Sequence, residues 1–159
     1  MISIKRATID DLDEVSNLFN LYRIFYRKES DIEGAKTFLR DRILNDESVI
    51  YIAEENKKLV GFTQLYPQLS STRMKKTWLL NDLFVLEEYR GKGISKQLIE
   101  KAKQLARDTH SAGLSLETEK TNIIGNQLYP SVGFVISNKT NFYWWTCLPD
   151  RQANTDNIQ

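Results

Sequence analysis

A short basic segment with two glycines separates an apolar stretch from a helical pattern near the middle of the chain. It runs from Arg90 to Ser95 and contains Gly91 and Gly93. Glycine lets the backbone approach a ligand closely, so that successive N–H groups can point at one anion. The apolar residues from Ile94 onward recur at helical spacing, and the positive end of a helix favours an anion further. The spacing therefore predicts a phosphate-binding turn between a strand and a helix.

Two common phosphate-binding loops do not match this segment. A Walker-type loop needs Lys followed by Ser or Thr after a second glycine at fixed spacing, and no window of the chain supplies it. A dinucleotide fingerprint needs a glycine at the position of Lys96, and it normally lies in a first strand–helix unit rather than in mid-chain. The pattern thus favours neither a Walker-type nucleotide site nor a dinucleotide site.

A second segment makes the interpretation of the turn more definite. Residues Arg90 to Ser95 resemble the pyrophosphate loop Arg/Gln-x-x-Gly-x-Gly/Ala of the GCN5-related N-acetyltransferase (GNAT) superfamily. Residues Asn122 to Phe134 resemble the segment Asn-x-x-Ala-x-x-Leu-Tyr-x-x-x-Gly-Phe of the same superfamily. Ser95, Gly125 and Pro130 depart from these patterns. The two segments occur in the order and at the spacing of the superfamily, and the resemblance covers most of the chain.

The resemblance implies acetyl-CoA as the cosubstrate and transfer of its acetyl group to an amine. Backbone N–H groups of the turn would bind the pyrophosphate, and the main chain of the preceding strand would pair with the pantetheine arm and polarise the thioester carbonyl. The implied cofactor-binding residues are Phe84, Val85, Arg90, Gly91, Lys92, Gly93, Ile94, Ser95 and Asn122. Tyr129 resembles the general acid, because a phenol with a pKa of about 10 is protonated at neutral pH.

The general base is less closely defined. Asn81 and Asp82 stand where polyamine-acetylating relatives often carry Glu and Asp, and Asn81 cannot accept a proton. Asp82 is therefore the best carboxylate candidate, either directly or through water. Strand alternation places Asn81 and Asp82 on opposite faces unless a bulge intervenes. Glu54 and Glu117 are weaker alternatives, and an amine that loses its proton to water needs no dedicated base.

An aromatic segment between the first two predicted helices is the expected acceptor site. Tyr22, Tyr26 and Glu29 combine aromatic faces with a carboxylate, which suits a cationic amine. Core packing is the alternative interpretation of the tyrosines. The segment resembles the diamine and polyamine acetyltransferase subgroup, which implies a small-molecule amine, a polyamine or a lysine-like group as acceptor. Direct attack is expected, since the sequence contains no activated Ser or Cys constellation.

The elements that carry these residues follow the order β-α-α-β-β-β-α-β-α-β-β. This order predicts an α/β (α+β mixed) sheet with helices on its faces. The resemblance implies a GNAT-like single domain, in which helices flank a central, mostly antiparallel sheet. Ser30 and Glu33 form a predicted capping box for the second helix. The segment 67–75 is a predicted loop, Pro130 ends the last helix at Tyr129, and two closing strands are expected at 134–137 and 142–147.

Composition limits the remaining function classes. The chain has 159 residues, enough for one domain, and its 22 Lys and Arg against 21 Asp and Glu give no basic field for nucleic acid. The one cysteine, Cys147, can form neither an internal disulfide nor a zinc cluster. No apolar run approaches the roughly 20 residues of a membrane span. We expect a cytoplasmic protein without a metal site, with an N-acetyltransferase domain at 1–148 and a polar, disordered tail at 149–159.

Two other functions fit the same patterns. One is a non-catalytic module that binds or senses acyl-CoA on the same scaffold, because a fold alone does not assign chemistry. The other is a subunit whose aromatic segment, Phe142 to Trp145, recruits a protein partner. One face of that segment is expected in the core and the other at a dimer surface or a substrate wall. The sequence favours an N-acetyltransferase that acts as a homodimer.

Overall fold

One sheet and four helices form the ordered framework of the residues that the structure describes. The computed structural model describes residues 1–143, 145 and 147. The strands are β1 (Ile2–Arg6), β2 (Val49–Glu55), β3 (Lys58–Ser70), β4 (Lys75–Val85) and β5 (Leu114–Ser115). The helices are α1 (Leu12–Phe25), α2 (Ile32–Leu44), α3 (Ile94–Asp108) and α4 (Ile123–Ser131). The strands lie in the order β1-β2-β3-β4-β5, and all neighbours are antiparallel except β4 and β5. The predicted mixed fold with a mostly antiparallel sheet is confirmed.

Apolar side chains of the helices cover both faces of the sheet. On one face, Val15 of α1 and Leu39 of α2 pack in one cluster with Phe62 of β3. On the other face, Ile99 of α3 packs with Leu65 of β3. Because apolar residues recur along α1 and α3 at helical spacing, burial of one stripe fixes each helix against the sheet. Within the described residues, no helix is both long enough and apolar enough to cross a bilayer.

Strand β5 pairs with only a short part of β4. The paired part of β4 ends at Leu79. The Trp78 indole donates to Thr109 Oγ1 at 2.9 Å, which ties this junction to the end of α3. Among the described residues, β4 from Leu80 to Val85 is therefore paired with β3 alone, and its other edge is open. An open edge presents unpaired N–H and C=O groups, so an extended ligand can bind along it.

A β-bulge lies in the middle of β4. Gln64 of β3 lies opposite Asp82, whereas Leu65 lies opposite Leu80, so Asn81 is the extra residue. The bulge changes the alternation of the strand: Leu80 is buried with residues of α3, whereas Asp82 is buried beside α1. The question that strand alternation left open is thereby answered, because a bulge does intervene at this position.

The predicted capping box of α2 is wrong. Asp31 is the N-cap, and its Oδ1 accepts from the Gly34 N–H at 2.8 Å. The Ser30 hydroxyl instead accepts from the Asn20 amide at 3.0 Å. A carboxylate is a strong acceptor at the positive end of a helix, so Asp31 takes the capping position from its neighbour.

The segment predicted as a loop at 67–75 is mostly a β-hairpin. Strand β3 continues to Ser70, which lies opposite Lys75, so the turn occupies only the residues between them. The segment is polar because this part of the hairpin extends into solvent, where even Leu69 is 85% exposed. The polar composition of 67–75 therefore reflects exposure to solvent and does not mean that the segment lacks strand pairing.

The C-terminal part of the described chain also differs from the prediction. Helix α4 contains Pro130 and ends at Ser131, beyond the predicted end at Tyr129, because the Val132 N–H bonds to the Leu128 carbonyl at 3.2 Å. Residues 134–137 form no strand in the structure, since β5 is only two residues long and offers them no ladder. Positions 144 and 146 of the predicted strand 142–147, and the predicted tail 149–159, lie outside the described residues.

Candidate active site

A cleft of about 920 Å³ runs along the open edge of β4. Its other walls come from the C-terminal end of α1, the N-terminal end of α3 and the segment from Glu117 to Tyr129. This volume is typical of a site for a cofactor or small molecule. The predicted site residues that line it are Tyr22, Tyr26, Phe84, Val85, Arg90, Gly91, Gly93, Ile94, Ser95, Asn122 and Tyr129. Glu29, Asp82 and Lys92 lie outside this lining.

The glycine turn forms one end of the cleft. Gly93 is the N-cap of α3 with a φ of 77°, and Gly91 has a φ of 76°. A Cβ added at either position would meet no atom within 4 Å, so the backbone conformation rather than lack of space requires glycine. No side chain in the described part of the chain caps the first turn of α3, and that turn contains no acidic residue. Its free N–H groups therefore form an anion site suited to phosphate.

Arg90 and Lys92 hold the turn rather than extend freely from it. Arg90 Nε donates to the Val85 carbonyl at 3.0 Å, and its guanidinium lies 6.0 Å from the centre of the Phe84 ring. Lys92 Nζ lies 4.6 Å from the centre of the Tyr89 ring. The arginine thus ties the turn to the end of β4 and keeps a positive charge beside the anion site.

Asn122 caps the helix on the opposite wall of the cleft. Its Oδ1 accepts from the Gly125 N–H at 3.0 Å, and its Nδ2 donates to Thr118 Oγ1 at 2.9 Å. A Cβ at position 125 would lie 2.6 Å from Asn122 Nδ2. Alanine at this position therefore requires the Asn122 amide to shift from its capping position.

Tyr129 of α4 lines the cleft with a protonated phenol. Its ring meets the Phe134 ring edge to face, with centroids 5.9 Å apart. Burial, with a contribution from nearby Tyr26, raises the pKa of Tyr129 to about 12, and none of the described residues hydrogen-bonds to its hydroxyl. A phenol in this state is a proton donor with no competing partner in the described part of the protein.

Asp82 lies behind the wall of the cleft. Only 5% of the residue is exposed, and Oδ2 is buried without a hydrogen-bond partner among the described residues. Burial raises the pKa of the Asp82 carboxyl, and the Asn81 amide and the Tyr22 hydroxyl partly offset this effect. Asn81 and Tyr22 both line the cleft, so the carboxyl is one side chain away from it. A buried carboxyl with a raised pKa beside a cleft is suited to proton transfer.

The C-terminal end of α1 supplies an aromatic wall. The rings of Tyr22 and Tyr26 lie 5.0 Å apart at 65°. Tyr22 also meets the core residue Phe62 with ring centroids 5.8 Å apart, so it packs on the core and lines the cleft at once. Burial raises the pKa of Tyr26, and the Glu119 carboxylate raises it further. Glu29 is exposed, and its carbonyl accepts from Arg23 Nη1 at 3.3 Å.

Comparisons with known proteins identify the family of this chain. A family model described as the acetyltransferase (GNAT) family matches residues 15–134. The chain belongs to the GNAT acetyltransferase family.

Individual relatives agree with this assignment of the GNAT chain. It is 45% identical to the N-acetyltransferase YhfO of Bacillus subtilis over 133 residues, which cover 84% of this chain and 89% of that protein. The crystal structure of a probable acetyltransferase matches it with a TM-score of 0.88 at 37% identity and covers 93% of this chain and 99% of that chain. An acetyltransferase of Clostridium acetobutylicum, solved with acetyl-CoA, shares the fold with a TM-score of 0.74 at 16% identity, over 90% and 96% of the two chains. The chain is an acyltransferase of the acetyltransferase class, as predicted.

The cleft of this GNAT acetyltransferase also contains residues that the sequence patterns did not assign to it. Lys96 lines the cleft from the first turn of α3, and a basic residue directly after a glycine turn was a usable signal. Asn81, which the sequence excluded as a base, lines it too, as does Glu119, which no local pattern marks. Of the two weaker base candidates, Glu117 lines the cleft, whereas Glu54 lies on β2 opposite β1.

Proposed function

We propose that this acetyltransferase transfers the acetyl group of acetyl-CoA to a primary amine by direct attack. The observation that carries the proposal is the junction of β4 and α3, where an open strand edge ends at a helix N-terminus that no described side chain caps. A ligand with an amide-bearing arm and a pyrophosphate needs these two features side by side. The fold is shared with an acetyltransferase that was solved with acetyl-CoA. The thioester supplies the acetyl group in an activated form.

The donor would be held mainly by main-chain groups. The N–H groups from Gly91 to Ser95 bind the pyrophosphate, with positive charge from Arg90 beside them. The Val85 carbonyl faces the open edge, because it accepts from Arg90. The N–H and C=O of one strand residue point to the same edge, so the Val85 N–H also faces this edge and can donate to a pantetheine amide. Asn122 lines the opposite side of the same cleft.

The chemical step assigns one proton transfer to each of two side chains. The amine nitrogen bonds to the thioester carbonyl carbon, and the C–S bond breaks. Tyr129 gives its proton to the departing sulfur, which its raised pKa and unengaged hydroxyl support. Asp82 takes the proton that the amine releases, through water or the Tyr22 hydroxyl, because it lies behind the cleft wall. Solvent then restores both groups to their starting protonation states.

The acceptor would bind between α1 and the segment that precedes α4. Tyr22 and Tyr26 offer aromatic faces to a cationic amine, and Glu29 adds negative charge outside the cleft lining. A small-molecule amine, a polyamine and a lysine-like group all have this chemistry.

We also infer a homodimer in a reducing compartment such as the cytoplasm. Exposed Val135 and Ile136, at 90% and 80%, support a contact surface, and sedimentation analysis tests it.

A thiol-release assay tests the proposed reaction. Acetyl-CoA and a panel of amines are incubated with the protein, free CoA is measured with a thiol reagent, and the acetylated amine is identified by mass spectrometry. Turnover on at least one primary amine supports the proposal. Tight acetyl-CoA binding with no turnover on any amine would instead favour a non-catalytic acyl-CoA-binding module.

The variant Gly93→Glu tests the donor site. It adds a negative charge and a strained side chain at the N-cap of α3, where φ is 77°. We expect acetyl-CoA affinity to fall by at least about 100-fold, the scale of losing a charged phosphate site. Ser71→Glu, in the exposed turn between β3 and β4, adds the same charge away from the cleft and should bind normally. Retained binding in a folded Gly93→Glu protein would refute the assignment of the phosphate turn.

A further inference from the structure

The two ends of the cleft carry opposite charge. Arg90 and Lys96 line the cleft at the phosphate turn, and Glu119 lines it beside the end of α1, because its carboxylate pairs with Arg27. The buried carboxyl of Asp82, whose Oδ1 accepts from Asn81 Nδ2 at 3.1 Å, lies behind the α1 wall of the cleft. Electrostatics therefore favours an anion at the first end and a cation at the second.

Hydrogen bonds from three neighbouring residues hold Glu119. Its backbone carbonyl accepts from the Asn122 N–H at 3.0 Å and from Asn126 Nδ2 at 2.9 Å, and its Oε2 accepts from Thr121 Oγ1 at 3.3 Å. Tyr26 directly precedes Arg27, whose guanidinium pairs with Glu119, and both Tyr26 and Glu119 line the cleft. A carboxylate held in this way needs little ordering to bind a cation.

The guanidinium of Arg27 already pairs with the Glu119 carboxylate. Arg27 Nη2 lies 3.3 Å from Glu119 Oε1, with the two side chains 80% and 48% exposed. Exposed pairs of this kind are weak, so a ligand cation can replace the arginine at little cost. The resident guanidinium shows which kind of group this carboxylate accepts.

The position of Arg27 is unusual for an arginine. It follows the end of α1 with a φ of 62°, and the bonds from Arg27 N–H to Ile24 and from Lys28 N–H to Arg23 form the C-terminal motif that favours glycine. A replacement of Arg27 by glycine therefore removes the guanidinium and relieves the backbone at once. This gives an unusually clean variant for testing the pair.

The reacting nitrogen itself is a poor partner for Glu119. An amine must be neutral to attack a carbonyl, and a carboxylate beside it would favour the charged ammonium form. A carboxylate at this wall is better used on a second positive charge of the same molecule. We propose that Glu119 binds a second cationic group of the acceptor, which displaces Arg27, while a separate primary amine of that acceptor reacts. This inference rests on the proposed function and narrows its acceptor to amines with two positive charges.

Steady-state kinetics with two amines of equal chain length tests it. Diaminobutane carries the second charge and butylamine lacks it. Glu119→Gln should raise the KM for diaminobutane about fivefold, the scale of a partly exposed ion pair, with kcat and the KM for butylamine nearly unchanged. Arg27→Gly should lower the KM for diaminobutane about twofold to threefold by removing the competing guanidinium. Glu33→Gln, on exposed α2, removes the same charge away from the cleft and serves as the matched control.

The outcomes separate this inference from the proposed function. If the unaltered protein acetylates amines but Glu119→Gln affects both amines equally, or Arg27→Gly raises the KM for diaminobutane, only the role of Glu119 is overturned. If the unaltered protein acetylates no amine, the proposed function fails and the inference fails with it. Thermal unfolding of each variant shows whether a change in apparent kcat comes from loss of folded protein.

Discussion

Replacing Tyr129 with phenylalanine removes one hydroxyl and leaves the ring in place. The edge contact with Phe134 at 5.9 Å remains, and no hydrogen bond to a described residue is lost. The free energy of unfolding should therefore change by about 0.5 kcal/mol or less. Any large effect on turnover then reports on chemistry rather than on folding.

The expected loss of activity follows from the role of a general acid. A positioned acid contributes about 10²- to 10⁴-fold to the rate, which corresponds to about 3–5 kcal/mol of activation free energy. We expect kcat of Tyr129→Phe to fall within this range while the Kd for acetyl-CoA changes less than about twofold. Because the pKa of Tyr129 is about 12, the unaltered enzyme should show no loss of activity from Tyr129 deprotonation up to about pH 10.

Tyr66→Phe provides the matched control. Burial also raises the pKa of Tyr66 to about 12, but Tyr66 lies outside the lining of the cleft. CoA release by the three proteins is followed between about pH 6 and pH 10, where the acid form of a phenol dominates. An unchanged kcat for Tyr129→Phe at every pH would refute the acid role. An equal loss in Tyr66→Phe would show that removing either hydroxyl acts through the fold.

Three further predictions test other parts of the structure. Burial raises the pKa of Asp82, so the folded protein holds that proton more tightly than the unfolded chain does. The free energy of unfolding should therefore fall as pH rises from about 4 through the raised pKa. Denaturant titrations at several pH values should show that Asp82→Asn removes this dependence on pH. Gly125→Ala places a Cβ 2.6 Å from Asn122 Nδ2 and displaces the capping amide. The free energy of unfolding should change little, because loss of the cap costs about 1 kcal/mol and the higher helix propensity of alanine contributes about 1 kcal/mol. Calorimetry should detect weaker acetyl-CoA binding, and unchanged binding would argue against Asn122 as a cofactor contact. Phe62→Ala deletes a fully buried ring and should lower the free energy of unfolding by about 3–5 kcal/mol, and a loss below about 1 kcal/mol in urea titration would contradict its place in the core.

Motifs made of residues that are adjacent in the chain could be recognised from the sequence. The glycine turn from Arg90 to Ser95 and the segment from Asn122 to Phe134 each act through residues that are adjacent in the chain, and the structure places both on one cleft. The boundary errors have local causes as well. Asp31 outcompeted Ser30 as a cap, and the polar residues of 67–75 turned out to form an exposed hairpin.

Residues whose position depends on distant partners could not be assigned in this way. Asn81 enters the cleft only because β3 and β4 pair with one residue out of step, and the register of a strand is a property of both partners. Glu119 reaches the aromatic wall of α1 although 92 positions separate it from Arg27 in the chain. Asp82 has its raised pKa because α1 and the sheet bury it.

The conformation and polarity of each part follow from residues that are adjacent in the chain. Glycine at positions 91 and 93 permits the left-handed backbone of the phosphate turn, and the helical pattern from Ile94 supplies the positive end that faces it. What these parts face depends on how distant segments pack. Strand β5 leaves β4 after Leu79, which opens the edge for the donor, and the bulge at Asn81 directs Asp82 to the side of α1. The physical reason is that backbone conformation and helix polarity act within a few residues, whereas an open edge, a register shift and a buried charge exist only when distant segments have packed together.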